Sequence, residues 1–378
     1  MGHIPFNRVS WTGNEMKNLE IAVASGHLSG SGPYTRLAER MIEDLLDRKN
    51  LLTTSCTHAL EVASLLLKSE PDDRDEVIVP AFTFVSTASA FALHGFRVRF
   101  ADISETDLNI NPSSIESLMN DRTRAICTVN YAGRSCDYGT IRRLIDGKEI
   151  TLVEDNAHGF GGISNGKLLG TFGDFATHSF HETKNVSCGE GGNIVFQNPK
   201  YFELAEILRE KGTNRSKFLR GQVDKYTWVE IGSSWVVSDL LAAVLVGQLE
   251  RLESITRRRT EIYFAYKMGL TFWAESQGVL LPPDDSSAVH TAHMFFLRLK
   301  DLESRTQLIE HLRKLDINAV FHYQALNVSP VGQRLGGQVG TCPISEKYSE
   351  TLVRLPLYES LSNEDVERVI EGVTTFRT

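Results

Sequence analysis

The sequence predicts an α/β fold, with a mostly parallel mixed sheet flanked by helices in residues 1–250 and a smaller C-terminal α/β domain in residues 251–378. Three observations predict it. From about residue 36 to Asp155, stretches with helical periodicity alternate with short apolar runs, the pattern of parallel strands joined by crossover helices. The stretch 238–267 reads as one long helix, apolar first and charged later, suited to linking two domains. A second, shorter strand–helix alternation follows it. A chain of 378 residues is long enough for both domains.

In chain order, TRLAERMIEDLLDRK (35–49) is amphipathic at helical spacing, and NLLTTS (50–55) is a short buried strand. CTHALEVASLLLK (56–68) is a helix, and DEVIVP (75–80) is a strand closed by Pro80. TFVSTASAFALHG (83–95) is helix-like and stops at Gly95, before the strand RVRFADI (97–103). PSSIESLMN (112–120) starts a helix with Pro112 in its first turn, where a missing N–H does no harm. TRAICTVN (123–130) and ITLVED (150–155) are strands on either side of the helix YGTIRRLIDG (138–147). The regularity then changes. THSFHETKN (177–185) and GGNIVF (191–196) read as shorter strands and turns, and YFELAEILREKG (201–212) as a helix. Beyond the long helix, HMFFLRL, TQLIEHLRKLD, INAVFHY and NEDVERVIEGVTTF read as strand, helix, strand and helix.

Composition narrows the function classes. Hydrophobic residues make up 41% and charged residues 23%, ordinary for a globular protein with a full core. The net charge of -8 argues against nucleic acid as the main partner, but an anionic small molecule needs only a local basic patch. Five scattered cysteines with no CxxC pair fit a reducing cytoplasm and neither a disulfide framework nor a zinc site. The most apolar long stretch, VIVPAFTFVSTASAFAL, carries a proline and several hydroxyls and falls short of the roughly 20 clean apolar residues of a membrane helix. The chain start lacks the apolar core of a secretory leader. A soluble cytoplasmic protein is expected.

Four features carry chemistry. In GDFATHSFHETKNVSCGEGGNIVF, Lys184 stands between an apolar-to-polar run and a glycine cluster, whereas ordinary surface lysines sit on solvated helix faces. In LVEDNAHG, Glu154 and Asp155 end a strand just before His158. Taken alone, such acids are as often loop caps. A metal site of Glu154, Asp155, His158, His178 and His181 matches no standard ligand spacing. Ser55, Cys56 and Thr57 lie between a strand and a helix start, which suits a phosphate, although a bare N-cap is the commoner use. Phe82 and Phe84 follow a strand; such phenylalanines are usually core, and one can instead stack on a flat ring. Together these supply an imine-forming lysine, a carboxylate for a pyridine nitrogen, an aromatic platform and a phosphate cup. That set is what pyridoxal phosphate requires, with Ser179 as a further phosphate hydroxyl.

EDNAHG, HSFHETKN, GEGG and the opening IPFN resemble the DegT/DnrJ/EryC1/StrS family of sugar aminotransferases, which have the fold-type I pyridoxal-phosphate architecture. SCTHALEVASLLL, FTFVSTASAF, REKGTNRSKFLRGQVDKYTWVEIGSSWVVSDLLAA and AVFHY are similar to its branch that makes dTDP-4-amino-4,6-dideoxygalactose. The resemblance runs from residue 4 to the C-terminus. It implies that Lys184 is the Schiff-base lysine and proton shuttle, and that Asp155 pairs with the pyridine nitrogen. It implies that His158 sits near the ring hydroxyl, Phe84 stacks on the ring, and Thr57, His58 and Ser179 contact the phosphate. Ser234 stands where many relatives have an asparagine that reaches the phosphate across a dimer interface, so a homodimer with shared active sites is implied. Asn156 and His158 depart from the family's usual small residue and glutamine.

The implied reaction is a two-stage transamination from L-glutamate to C4 of dTDP-4-keto-6-deoxyglucose. In REKGTNRSKFLRGQVDKYTW, Arg209 and Lys211 read as a solvated helix end, while the loop-like context of Arg215, Arg220 and Lys225 favours a sugar diphosphate. His322 and Tyr323 are expected to border the sugar. The alternatives are the gluco epimer or a 3-amino product, a dehydratase with histidine in place of the lysine, and a non-catalytic nucleotide-sugar-binding protein. Lys184 and Asp155 argue against the last two.

Overall fold

The computed structural model describes residues 2–284 and 288–377. Strands β1 (Asn50–Thr53), β2 (Glu76–Pro80), β3 (Arg97–Ala101), β4 (Thr123–Val129) and β5 (Thr151–Asp155) follow in order. A hairpin of β6 (Ile163–Ser164) and β7 (Lys167–Leu168) precedes β8 (Phe175–Ser179) and β9 (Gly192–Phe196). Seven of these form one sheet in the order β1-β9-β8-β5-β4-β2-β3. Only β9 runs against the rest, because it pairs antiparallel with both β8 and β1. The hairpin pairs separately with β10 (Ala288–Val289).

Alternation along each strand covers both faces of the sheet with apolar side chains. Leu51, Val77, Val79, Cys127, Val153 and Phe196 pack with α3 (Cys56–Ser69), α4 (Ser86–Leu93) and α7 (Phe202–Arg209). On the other face, Leu52, Ala176 and Val195 pack against α2 (Pro33–Leu46) and α9 (Asp239–Leu249). Ile78, Ile126 and Leu152 on that face meet Ile115 and Ile141, from the short helices at 112–118 and 138–144. The mostly parallel, helix-flanked sheet is as expected.

A second sheet contains β11 (Phe295–Arg298), β12 (Val320–Phe321) and β13 (Leu352–Leu355), all antiparallel, in the order β11-β13-β12. Its core gathers Tyr266 and Leu270 of α10 (Leu252–Gln277), Leu308 and Leu312 of α11 (Leu302–Lys314), and Val366 and Val369 of the helix at 363–374. Ile4 packs in the same core and pairs with Ile317, so the chain's opening residues join the second sheet's core.

The stretch 238–267, expected as one helix, is two. α9 ends at Leu249 and α10 begins at Leu252, with Arg251 leaving helical geometry at φ -111 and ψ 8. The reason is tertiary. The break lets Arg251 pair with Glu15 at 3.6 Å and with Glu359, ties that no local pattern announces.

Candidate active site

The carboxyl ends of β1, β2, β4, β5 and β8 lie on one edge of the large sheet, beside the start of antiparallel β9. In open α/β sheets this edge is where ligands bind. The loops that leave it carry Ser55, Cys56, Thr57, Thr83, Phe84, Ser86, Asp155, Ala157, His158, Ser179, His181, Thr183, Lys184 and Gly191, and these line one wall of a cavity of about 690 Å³. The facing wall comes from Phe6, Arg259, His293, Phe321–Tyr323 and Arg354 of the second sheet's surroundings.

Lys184 sits on the 180–191 turn. That turn is closed by Phe180 N–H to Gly191 O at 2.8 Å, and its own N–H donates to His181 O at 2.9 Å. Its side chain is half-buried in the cavity wall. Burial lowers its amine from the ordinary 10.5 to about 8; Cys56 and Asp155 push it back up and Arg354 pushes it further down. A sizeable fraction of the amine is therefore neutral near pH 8, the form that attacks a carbonyl.

Asp155 is buried at the end of β5. Its carboxylate accepts from Thr87 Oγ1 at 2.7 Å and from the Ala157 N–H at 3.2 Å. Thr87 is itself set by Thr83 Oγ1 at 2.8 Å. Burial raises the carboxyl above its usual range, opposed by these donors and by the Lys184 charge. Among the described residues no cation lies within ion-pair distance of it. A buried carboxylate needs a partner to stay charged, and a protonated ring nitrogen supplies one.

An anion cup lies alongside. Ser55 caps α3, its Oγ accepting from the His58 N–H at 3.1 Å. Thr57 Oγ1 and Ser86 Oγ are 2.7 Å apart and join the first turns of α3 and α4, with Ser179 on the same wall. The N-terminal N–H groups and dipoles of two helices favour a phosphate there. β9 passes so close to α3 that a Cβ on Gly192 would lie 2.4 Å from Cys56 N. Lysine, uncompensated carboxylate and hydroxyl-lined cup match the aldehyde, ring nitrogen and phosphate of pyridoxal phosphate.

The facing wall is aromatic. Across the cavity, the His158 ring of the first wall stacks on His293 at 4.3 Å between centroids, and its Nε2 lies 3.2 Å from Tyr323 Oη. Tyr131 Oη meets His322 Nδ1 at 2.6 Å, and the His322 and Tyr323 rings are 3.6 Å apart. Burial holds His158, His293 and His322 well below the usual imidazole range, so all three are neutral at pH 7.

The sequence pattern of the DegT/DnrJ/EryC1/StrS aminotransferase family matches residues 10–374. The chain belongs to this family. Among curated relatives, the uncharacterized protein MJ1066 of Methanocaldococcus jannaschii is 30% identical over 352 residues, 90% of this chain and 89% of that one. The spore coat polysaccharide biosynthesis protein SpsC of Bacillus subtilis is 29% identical over 368 residues, 95% and 93% of the two chains. The putative sugar aminotransferase Spr1654 from Streptococcus pneumoniae, in its apo-form, superposes with a TM-score of 0.91 at 26% identity, covering 99% of this chain and 97% of that one. Its PMP-form and PLP-form also reach 0.91. The family works with pyridoxal phosphate.

Of the residues singled out in the sequence, Thr57, Phe84, Asp155, His158, Ser179, Lys184, His322 and Tyr323 converge on the cavity. His58 does not line it. Its ring bonds Thr54 Oγ1 at 2.6 Å and stacks on Trp235, because successive helix residues point about 100° apart. Arg215, Arg220, Lys225 and Ser234 also lie outside it. Arg215 pairs with Glu210 at 3.4 Å, and Arg220 forks onto both oxygens of Glu206 at 2.8 and 2.9 Å. Lys225 and Ser234 are exposed on the segment after the short helix 215–219. Glu154 is structural, accepting backbone N–H groups of Gly170, Phe172 and Gly173, and His178 bonds Asn193 at 2.7 Å. Among the described residues no group of three or more His, Cys, Asp or Glu could hold a metal ion. Sequence reasoning missed Ser86, Thr87, Arg259, His293 and Arg354. Only Arg354, an arginine inside the apolar run LVRLPL, carried a visible signal.

Proposed function

We propose that the protein is a pyridoxal-phosphate-dependent nucleotide-sugar aminotransferase, moving an amino group from L-glutamate to C4 of dTDP-4-keto-6-deoxyglucose to give dTDP-4-amino-4,6-dideoxygalactose. The observation that carries the chemistry is the pairing, in one cavity, of Lys184 with its lowered pKa and a buried Asp155 that lacks a cation. When bound, the cofactor supplies an electron-withdrawing ring that stabilises negative charge on the reacting carbon. Asp155, fixed by Thr87, holds a proton on the ring nitrogen. Thr57, Ser86 and Ser179 hold the phosphate, and Phe84 covers the ring. The Lys184 amine takes the proton from the donor carbon and later returns one to the acceptor carbon, a task that suits a base titrating near neutrality.

The specific sugar rests on the sequence resemblance, and its neutral ring suits the uncharged surface of His322 and Tyr323. The SpsC relative's name supports a role in making surface polysaccharide. A homodimer completes the reading, with Ser234 and the basic segment reaching the partner's cavity. Its support is an apolar surface on that segment, where Trp228 and Ile231 are each 73% exposed and Phe218 and Tyr226 are exposed too. No helix among the described residues is long and apolar enough to cross a membrane, and all five cysteines are free and buried, which suits the cytoplasm.

The test is an absorbance spectrum of the protein loaded with pyridoxal phosphate, before and after L-glutamate, followed by the keto sugar and NMR of the product. Bleaching of the visible band, its return with the sugar, and an axial C4 amine are expected. An equatorial amine at C4 or an amine at C3 would replace the product, and no bleaching would remove the catalytic reading.

A further inference from the structure

Lys184 is held from two sides. Its own turn supplies the first: Glu182 N–H donates to Gly189 O and Lys184 N–H to His181 O, at 2.8 and 2.9 Å. The second comes through the next residue, Asn185, whose half-buried amide reaches out of the turn altogether. Nδ2 donates to the Thr291 carbonyl at 2.7 Å, and Oδ1 lies 2.9 Å from His293 Nδ1. A carbonyl can only accept, so the Thr291 bond fixes which end of the amide is which. Oδ1 then faces His293, whose Nδ1 carries the hydrogen.

The loop that Asn185 grips, residues 291–293, is itself firmly fixed. It leads directly toward β11 of the second sheet. Arg259 of α10, buried, donates to the carbonyls of Ala292 and His293 at 3.1 and 2.7 Å. Thr291 Oγ1 donates to the His158 carbonyl at 2.7 Å, while the His293 ring stacks on the His158 ring. That approach of Thr291 needs glycine at position 133, where a Cβ would collide with Oγ1. Ala292 adopts φ 48, a left-handed conformation that an alanine enters only with strain. A buried arginine, a glycine approach and a strained alanine thus hold three residues whose outward bonds go to Asn185 and His158.

We propose that Asn185 is a positioning residue for Lys184, clamping the lysine turn to the 291–293 loop so that the amine keeps its place in the cavity. This rests on the aminotransferase reading, in which Lys184 serves both half-reactions. In each, the amine is released from the cofactor and must still sit where it can take or return a proton. A flexible four-carbon side chain keeps that reach only if its backbone is fixed. Asparagine fits the task because one rigid amide offers a donor and an acceptor at once. Aspartate would set an oxygen against the Thr291 carbonyl, and leucine would leave that carbonyl and His293 Nδ1 unpaired. Through His293, the clamp also ties the lysine of one cavity wall to the wall that faces it.

The test compares wild type, Asn185→Ala and Asn185→Leu as apoproteins. Leucine nearly keeps the volume, so a loss shared by both variants belongs to the hydrogen bonds and not to a hole. Stopped-flow absorbance follows capture of pyridoxal phosphate at saturating concentration, in which the amine adds to the aldehyde carbon and water leaves. Calorimetry measures binding of pyridoxamine phosphate, which fills the same cavity but offers the lysine no aldehyde. Both variants should capture pyridoxal phosphate about 30-fold more slowly, while pyridoxamine phosphate binds within about threefold of wild type. Equal losses for the two cofactor forms would make Asn185 a structural clip and overturn the positioning role. Capture within about twofold of wild type, or a loss in Asn185→Ala alone, would overturn it as well. If wild type itself captures no pyridoxal phosphate, the aminotransferase reading fails and the clamp's role falls with it. Capture by wild type that ignores Asn185 fails the proposal alone.

Discussion

The large-sheet wall of the cavity and the wall that faces it treat their polar groups in opposite ways. On the first, the groups are held by the protein itself: Asp155 by Thr87 and Ala157, Thr57 by Ser86, and Ser55 by the start of α3. On the second, Arg354 Nε is buried with no partner, and His293 and His322 are neutral. A permanent occupant needs a fixed, pre-paid set of contacts, whereas two successive substrates need a surface with open valences. On the proposed function, the first wall suits a resident cofactor and the second an exchange of substrates.

The comparison can be broken most sharply at Lys184. Lys184→Ala should lower transamination by about 1,000-fold or more while thermal unfolding changes little, because the side chain is half-buried in the cavity wall. Retained turnover would show that the first wall has no catalytic amine. Asp155→Asn keeps the shape and removes the charge. Turnover should fall by about 100-fold and the bound cofactor's absorbance should shift, whereas an unchanged spectrum would mean the carboxylate never meets the ring. At Gly192→Ala, a Cβ 2.4 Å from Cys56 N must displace the start of α3. A stability cost of about 1–3 kcal/mol by denaturant unfolding is expected, with weaker cofactor binding. Unchanged cofactor affinity would detach the α3 terminus from the phosphate.

The smallest effect is on pH. Lys184 is held near 8, so capture of pyridoxal phosphate by the apoprotein should speed up as pH rises and level off above about 8. Arg354→Gln removes a neighbouring positive charge, so the amine should hold its proton to higher pH and the inflection should move upward. An inflection that stays put would mean the two walls are electrically independent.

What was legible in the sequence follows the same division. The first wall is made of strand ends and helix starts, and those have local signatures: an apolar run into Glu154-Asp155, a Ser-Cys-Thr helix start, and a lysine before glycines. Thr87 left no such trace, since a threonine in an apolar helix reads as core or cap until Asp155 is seen 2.7 Å away. The resemblance implies a phosphate contact for His58 as for Thr57, yet the helix turns one toward the cavity and the other toward Trp235. The second wall is assembled from residues 6, 293, 322 and 354, brought together only by the three-stranded sheet and the Ile4 contact. The break at Arg251 was hidden for the same reason, its cause being carboxylates more than 100 residues away on either side.

The central claim is that Lys184 is where the cofactor is tethered. The direct measurement is borohydride reduction of the protein loaded with pyridoxal phosphate, followed by proteolysis and mass spectrometry of the labelled peptide. The account predicts a single phosphopyridoxyl group on Lys184. A label on another lysine, or none at saturating cofactor, would contradict it.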